Sequence, residues 1–348
     1  MFARDEYIMA ARLICQQCGK PVYGDYVNAL GAVWHPEHFV CAACGLPIGS
    51  NSFNVQDNKP YHPACYIEQI APRCAFCGKP LTGRYVQSEG KSYHDACYRN
   101  SVVPRCFYCN EPLMGEYCVN HWGEQYCEKH QREYPACEFC GRLIPPAQQE
   151  HGSDRLNSTR CPVCRSRAIE TSEQAREAFA RVKRWIGSEG LSYNNLPLSL
   201  QLCSRDYLAQ HGLRDGNGQT HMLGVTLSTT HSLNGRETHT VVDGVAVLKG
   251  LPAPLFDGVV THELGHVWLL AHGIKGLPLW AEEGFCELLS YRYYTQLNTL
   301  ESRYHAESIE KNSDPVYGAG FRRVRAIAER VGFANLLRTL QTSGRLPA

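Results

Sequence analysis

The stretch GVVTHELGHVWLLAHG, Gly258 to Gly273, sets His262, Glu263 and His266 inside a largely apolar run, with a third histidine, His272, at its end. Its length and texture read as a helix facing a core, where polar groups without partners are costly. His262 and His266 are four residues apart, so they lie on one helix face, one turn from each other. Two imidazoles so placed can grip one Zn2+ while Glu263 projects beside them. The bland alternative is a pair of satisfied core histidines and a stray acid. Alone, the five-residue pattern decides little, since chance supplies it in about a few per cent of such chains.

A catalytic zinc needs a third protein donor and keeps its fourth position for water. The downstream run LPLWAEEGFCELLSY offers Glu282, Glu283 and Glu287 in a second apolar helix. That run resembles the corresponding element of the gluzincin metallopeptidases, whose third ligand is the Glu before Gly in Trp-x-x-Glu-Gly. The resemblance implies Glu283 as the ligand and Glu263 as the catalytic base. Glu287 falls one turn beyond Glu283 and can orient a ligating histidine; the alternative is that Glu282 and Glu287 face solvent. Tyr293, Tyr294 and Tyr317 are candidates for stabilising an oxyanion, and spacing does not choose among them.

Upstream, Thr171 to about Gly187 carries apolar residues on one helical face, with Thr171 and Gln174 placed for a capping box. LPLSLQLC and MLGVTLST read as strands, Asn234-Gly235 as a hairpin turn, and THTVVDGVAVLKGLP as another strand. The portion GVAVLKGL is a candidate edge strand for an extended substrate, with a buried core strand as the alternative. His221, His231 and His239 read as exposed loop residues of the hairpin region. Pro252 and Pro254 end the strand, and the helix is expected to begin near Leu255 or Phe256.

The N-terminal half has a different texture. Of 18 cysteines, all but Cys203 and Cys286 lie between Cys15 and Cys164. Five Cys-x-x-Cys pairs each precede a second pair at the same internal spacing. The quartets are Cys15, Cys18, His35, His38; Cys41, Cys44, His62, Cys65; Cys74, Cys77, His94, Cys97; Cys106, Cys109, Cys127, His130; and Cys137, Cys140, Cys161, Cys164. Such spacing aims donors at a tetrahedral Zn2+ and leaves no open position, so five structural zincs are expected beside one catalytic zinc. Disulfides are the alternative, but they give no reason for histidine in the same register. Cys118 is left over, and His151 is an outside candidate for the fifth site.

The first two quartets, joined by Phe39 and Val40 alone, resemble a LIM domain, with His38 where Cys is usual. The third and fourth resemble a looser LIM-like pair, and the fifth a zinc ribbon. The implied architecture is α+β: a LIM domain at 13–67, a LIM-like pair at 72–132, a zinc ribbon-like finger at 135–166, then a gluzincin-like, zincin-type metallopeptidase domain at 170–348.

Formal net charge is +1, from 35 basic and 34 acidic residues, with no basic tract. Neither nucleic acid nor a membrane surface is indicated as a partner. No signal peptide or membrane-length apolar run is visible, so the cytoplasm is the expected location. The whole chain resembles the plant LIM-containing, ubiquitin-activated peptidases that restrict organ growth. That resemblance implies cleavage of regulatory proteins, with ubiquitin or ubiquitin-pathway proteins as partners. Those proteins carry ubiquitin-interacting helices ahead of the LIM domain. Here 14 residues precede Cys15, and a microbial or shortened relative is expected. Two function classes follow: a zinc endopeptidase whose finger arm recognises substrates or partners, or a non-catalytic LIM adaptor with an inactive peptidase-like domain.

Overall fold

The computed structural model describes residues 13–48, 51–149, 159–193, 196, 198–211, 222–233 and 236–348. The chain is mixed α/β and forms two compact units, Met1–Glu116 and Tyr117–Ala348. Ligand spacing draws a boundary near residue 170, whereas backbone contacts divide the chain at Glu116/Tyr117. Among the described residues, no helix is long and apolar enough to cross a membrane.

The first unit is made of short hairpins beside Cys-x-x-Cys turns. Strands β1 (Val27–Ala29) and β2 (Ala32–Trp34), β3 (Asn54–Gln56) and β4 (Lys59–Tyr61), and β5 (Val86–Ser88) and β6 (Lys91–Tyr93) pair antiparallel. Helices α1 (Pro63–Gln69) and α2 (Asp95–Cys97) follow the second and third hairpins. Each turn needs one residue in the left-handed region just after its second cysteine, supplied by Gly19, Gly45 and Gly78 and, in the fourth turn, by Asn110. The core between the first two quartets is small. Phe39 is 1% exposed and packs on Trp34 and edge-on against Phe53.

The second unit opens with a hairpin, β7 (Tyr117–Val119) and β8 (Gln125–Cys127), then α3 (Glu128–Glu133) and α4 (Pro162–Ser166). Helix α5 (Ser172–Ser188) starts where expected. Thr171 Oγ1 accepts from the Gln174 backbone N–H at 3.2 Å and the Gln174 side chain accepts from the Thr171 N–H at 3.0 Å. Next come β9 (Leu200–Cys203), α6 (Arg205–His211), β10 (Gly224–Leu233), β11 (Arg236–Leu248), α7 (Ala253–Ala271) and α8 (Leu279–Leu297). Three further helices, α9 (Leu300–Lys311), α10 (Tyr317–Val331) and α11 (Phe333–Ser343), complete the unit.

The sheet order is β10-β11-β9, with β11 antiparallel to β10 and parallel to β9. The segment GVAVLKGL therefore contributes a central strand, and the edge beside α7 is β10. The run Val245–Leu248 is apolar throughout and buried throughout, which suits a strand covered on both faces. His231 lies exposed within β10, opposite His239 of β11, so these two are strand residues and not loop residues. His221, Asn234-Gly235 and His151 lie outside the described residues.

Helix α7 packs against α8, β10, β11, α5 and α9 and is buried on nearly every side. It begins two residues earlier than expected because Pro252 serves as its N-cap. Its first turns are held by Asp257, whose carboxylate receives Arg181 of α5 at 2.7 and 3.0 Å and the Tyr293 hydroxyl of α8 at 2.7 Å. Small residues let the other helices close in. A Cβ at Gly284 would lie 2.4 Å from the Gly320 carbonyl carbon, and one at Gly320 would lie 2.2 Å from the Trp280 oxygen. The glycine following Glu283 is thus a packing requirement between α8 and α10. Replacing Gly320 with Ala forces two backbones apart and is expected to cost about 2–3 kcal/mol, read as a lower urea midpoint with an unchanged slope.

Candidate metal centre

Helix periodicity puts His262 and His266 on one face of α7, and α8 brings Glu283 against them. His262 Nε2 lies 3.3 Å from His266 Nε2, and Glu283 Oε2 lies 3.1 Å from the first and 3.5 Å from the second. A tetrahedral ion with bonds of about 2.0–2.1 Å sets its donors about 3.3–3.4 Å apart. The three atoms therefore fit the edges of such a shell.

The outer nitrogens explain which atoms face inward. His262 Nδ1 is 3.4 Å from Glu287 Oε1, and His266 Nδ1 is 3.1 Å from Glu282 Oε1. A carboxylate at Nδ1 holds the N–H there and leaves the Nε2 lone pair pointing away from it. Two lone pairs and a carboxylate oxygen then converge, an arrangement that calls for a cation. The donor set, two imidazoles and one carboxylate, suits Zn2+. Electrostatics agree. Burial alone works against charge on His262 and His266, yet Glu283 and Glu287 around His262, and Cys286 followed by Glu282 and Glu283 around His266, raise the proton affinity of both well above the usual imidazole range. Burial likewise opposes charge on Glu283, but hydrogen bonds from His262 and His266 outweigh it and hold the carboxyl at about 2.

Glu263 points elsewhere, toward the sheet edge. Its Oε2 accepts from Thr226 Oγ1 of β10 at 2.9 Å, and the same hydroxyl lies 3.0 Å from the Glu263 carbonyl. A Cβ at Gly224 would come within 3.0 Å of this carboxylate, so a small residue there makes room for it. Of the three tyrosines, Tyr293 is engaged by Asp257 and Tyr294 stacks on His305. The Tyr317 ring lies 6.4 Å from that of His262. Burial, reinforced by Glu283, pushes the Tyr317 phenol up to about 12, so it stays protonated at neutral pH.

Sequence spacing missed two of these groups. Spacing offers Glu282 only as a candidate third donor or a solvent-facing acid, whereas it reaches the outer nitrogen of His266 while remaining 40% exposed. Thr226 belongs to a different element, and no local pattern ties it to Glu263.

The cysteine-rich segment carries comparable clusters. In each of four quartets, those of Cys15, Cys41, Cys74 and Cys137, the donor atoms lie within 4.8 Å of one another, consistent with zinc binding. Along the sequence, Cys106 and Cys109 of the fourth quartet fall before the division and Cys127 and His130 after it. His38 fills its place, with Nδ1 3.5 Å from Cys15 Sγ and 3.2 Å from His35 Nδ1. The first three fingers share a device. His35, His62 and His94 turn Nδ1 toward a cysteine and hold Nε2 at 3.3, 3.3 and 3.1 Å from the carbonyls of Pro21, Pro47 and Pro80.

The LIM family model matches residues 15–70, and a second model, described as DA1-like (Protein DA1), matches residues 214–304. The chain carries a LIM domain and a DA1-like domain. The DA1-like match spans Thr226, His262, Glu263, His266, Glu282, Glu283 and Glu287, while Tyr317 falls beyond it. Over 391 residues the chain is 25% identical to Protein DA1 of Arabidopsis thaliana, covering 96% of this chain and 68% of that protein. Protein DA1-related 2 of the same plant is also 25% identical, with 96% and 70% covered. LIM domain-containing protein HDR3 of Oryza sativa subsp. japonica is 24% identical, with 96% and 74% covered. These likenesses are consistent with the DA1 family of plant LIM-containing proteins.

Glu282→Gln and Glu287→Gln each remove a charge from an imidazole of the DA1-like domain. Each is expected to weaken Zn2+ binding at this centre by about ten- to a hundredfold, measured by competition with a chromophoric chelator. Unchanged affinity in both variants would remove the orienting role.

Proposed function

We propose that this chain is a zinc-dependent endopeptidase acting on protein substrates, with its finger arm recognising substrates or partners. The observation that carries the reading is the convergence of His262, His266 and Glu283 at tetrahedral spacing. In this reading His262, His266 and Glu283 hold the catalytic ion. Bound there, Zn2+ supplies Lewis acidity toward a water and a scissile carbonyl. Glu263 takes the proton from the attacking water and later delivers it to the leaving amine. Thr226 fixes the direction in which that carboxylate points. Tyr317, held protonated, donates toward the oxygen on which charge develops. As the end strand of the sheet, β10 is placed to offer backbone groups to an extended peptide beside Glu263. Ubiquitin-pathway proteins are the partner class proposed with this activity, on the family resemblance alone.

Glu263→Gln keeps the shape of the site and abolishes its proton acceptor. Cleavage of a casein-type substrate is expected to fall by about a hundredfold or more, with zinc content equal to that of the unaltered chain. No cleavage by either protein would favour the adaptor reading, in which the fingers bind partners and the DA1-like domain is a retired enzyme, and equal cleavage by both would remove Glu263 as the base.

A further inference from the structure

The fifth quartet differs from the others in composition and surroundings. It is the one made of four cysteines, and Cys137, Cys140, Cys161 and Cys164 are all buried. The quartets of Cys15, Cys41 and Cys74 each bury a single member. Neither family match, 15–70 or 214–304, reaches this segment.

Its surroundings belong to the second compact unit. Phe139 and Ile144 of the finger share one apolar core with Ile169, Ala175 and Ala178 and with the buried face of α7. Trp122 Nε1 donates to the Cys140 carbonyl at 2.9 Å, and the Tyr304 hydroxyl of α9 covers Gly141, where a Cβ would meet it at 2.8 Å. Arg205 of α6 pairs with Glu138.

The closest tie runs to α7. Immediately after α4, which carries Cys164, the chain pairs with the segment that starts the histidine-bearing helix. Ile169 N–H donates to the Leu251 carbonyl at 2.9 Å, Gly250 N–H to the Ile169 carbonyl at 2.8 Å, and Ala253 N–H to the Arg167 carbonyl at 3.0 Å. Ala168 bridges Pro252, the N-cap of α7. Arg160, next to Cys161, donates to the Gly250 carbonyl at 3.1 Å and to Glu170 at 3.3 Å. Among the described residues between Cys137 and Cys164, helical structure is limited to the 3-10 turn Pro146–Gln148 and the start of α4, so an ion on the four sulfurs would supply much of what holds this segment in shape.

We propose that the fifth quartet is a metal site of the catalytic unit itself, whose ion clamps the N-terminal end of α7 and so aligns His262 and His266 with Glu283. This inference rests on the reading of those three residues as a metal centre. Without the fifth ion, four thiols remain inside the shared core. The loop then opens, the pairing at 250–253 loses its backing, and α7 shifts against α8. Any such shift spreads donors that must stay within a few tenths of an ångström of ideal geometry. The first three fingers lie in the other compact unit.

The test measures zinc affinity at the His262 centre in the full-length chain. Chelator competition is run on each protein and on its His262→Ala counterpart, and the difference isolates that centre. Cys164→Ser is expected to weaken it by about tenfold or more, whereas Cys77→Ser in the third finger loses its own ion and leaves the centre unchanged. Arg160→Met keeps every proposed ligand and serves if Cys164→Ser does not fold; it is expected to weaken the centre by about threefold, with partial recovery in Arg160→Lys. Equal affinity in Cys164→Ser and Cys77→Ser, or no effect of Arg160→Met, overturns the proposal. If His262→Ala alone leaves total zinc unchanged, the metal reading of that centre fails, and this inference falls with it.

Discussion

Everything in the second unit is arranged around one electrostatic problem: two imidazoles on a buried helix, each needing its proton on the outer nitrogen. Glu282 and Glu287 solve it from α8, one per ring. The cost of burying several ionisable groups together is met by pairing each with a partner of opposite tendency. Because both carboxylates and Glu283 come from one helix, the register of α8 against α7 is the variable on which the centre depends. A displacement of one residue along α8 would exchange orienting acids for apolar neighbours.

That register is enforced by contacts away from the histidines. Asp257 binds α5, α7 and α8 through Arg181 and Tyr293, and Ser290 donates to the Gly258 carbonyl at 2.8 Å. Gly284 and Gly320 let α10 press on α8 from the far side, which also carries Tyr317 to the first turn of α10. On the remaining side, β10 contributes Thr226 to Glu263. Helix crossing, sheet edge and charge network are three expressions of the same requirement for close fit.

How much of this was legible in the sequence follows from the range of each interaction. Contacts between residues three or four apart were readable: the capping box at Thr171, the His262/His266 pair, the repeated quartets. Glu283 was reachable through its resemblance to a known pattern. Glu282, Thr226 and the roles of the three tyrosines were not, because they depend on how separate elements meet. Sequence could not decide the central position of β11 for a related reason: an apolar strand beside a candidate site reads equally as edge or core until its neighbours are known. Spacing groups the finger ligands, but spacing alone could not show that the fifth finger shares a core with α7.

The fingers and the α7–α8 centre fix their imidazoles by different means, and the difference bears on how each can drift. In the first three fingers a main-chain oxygen holds the outer nitrogen. No exchange of side chain at that proline deletes the acceptor itself, so the loops there are free to diversify their surfaces. At the α7–α8 centre the same task falls to two acidic side chains, each removable by a single codon change. The arm is thereby built for variation and the core for constancy.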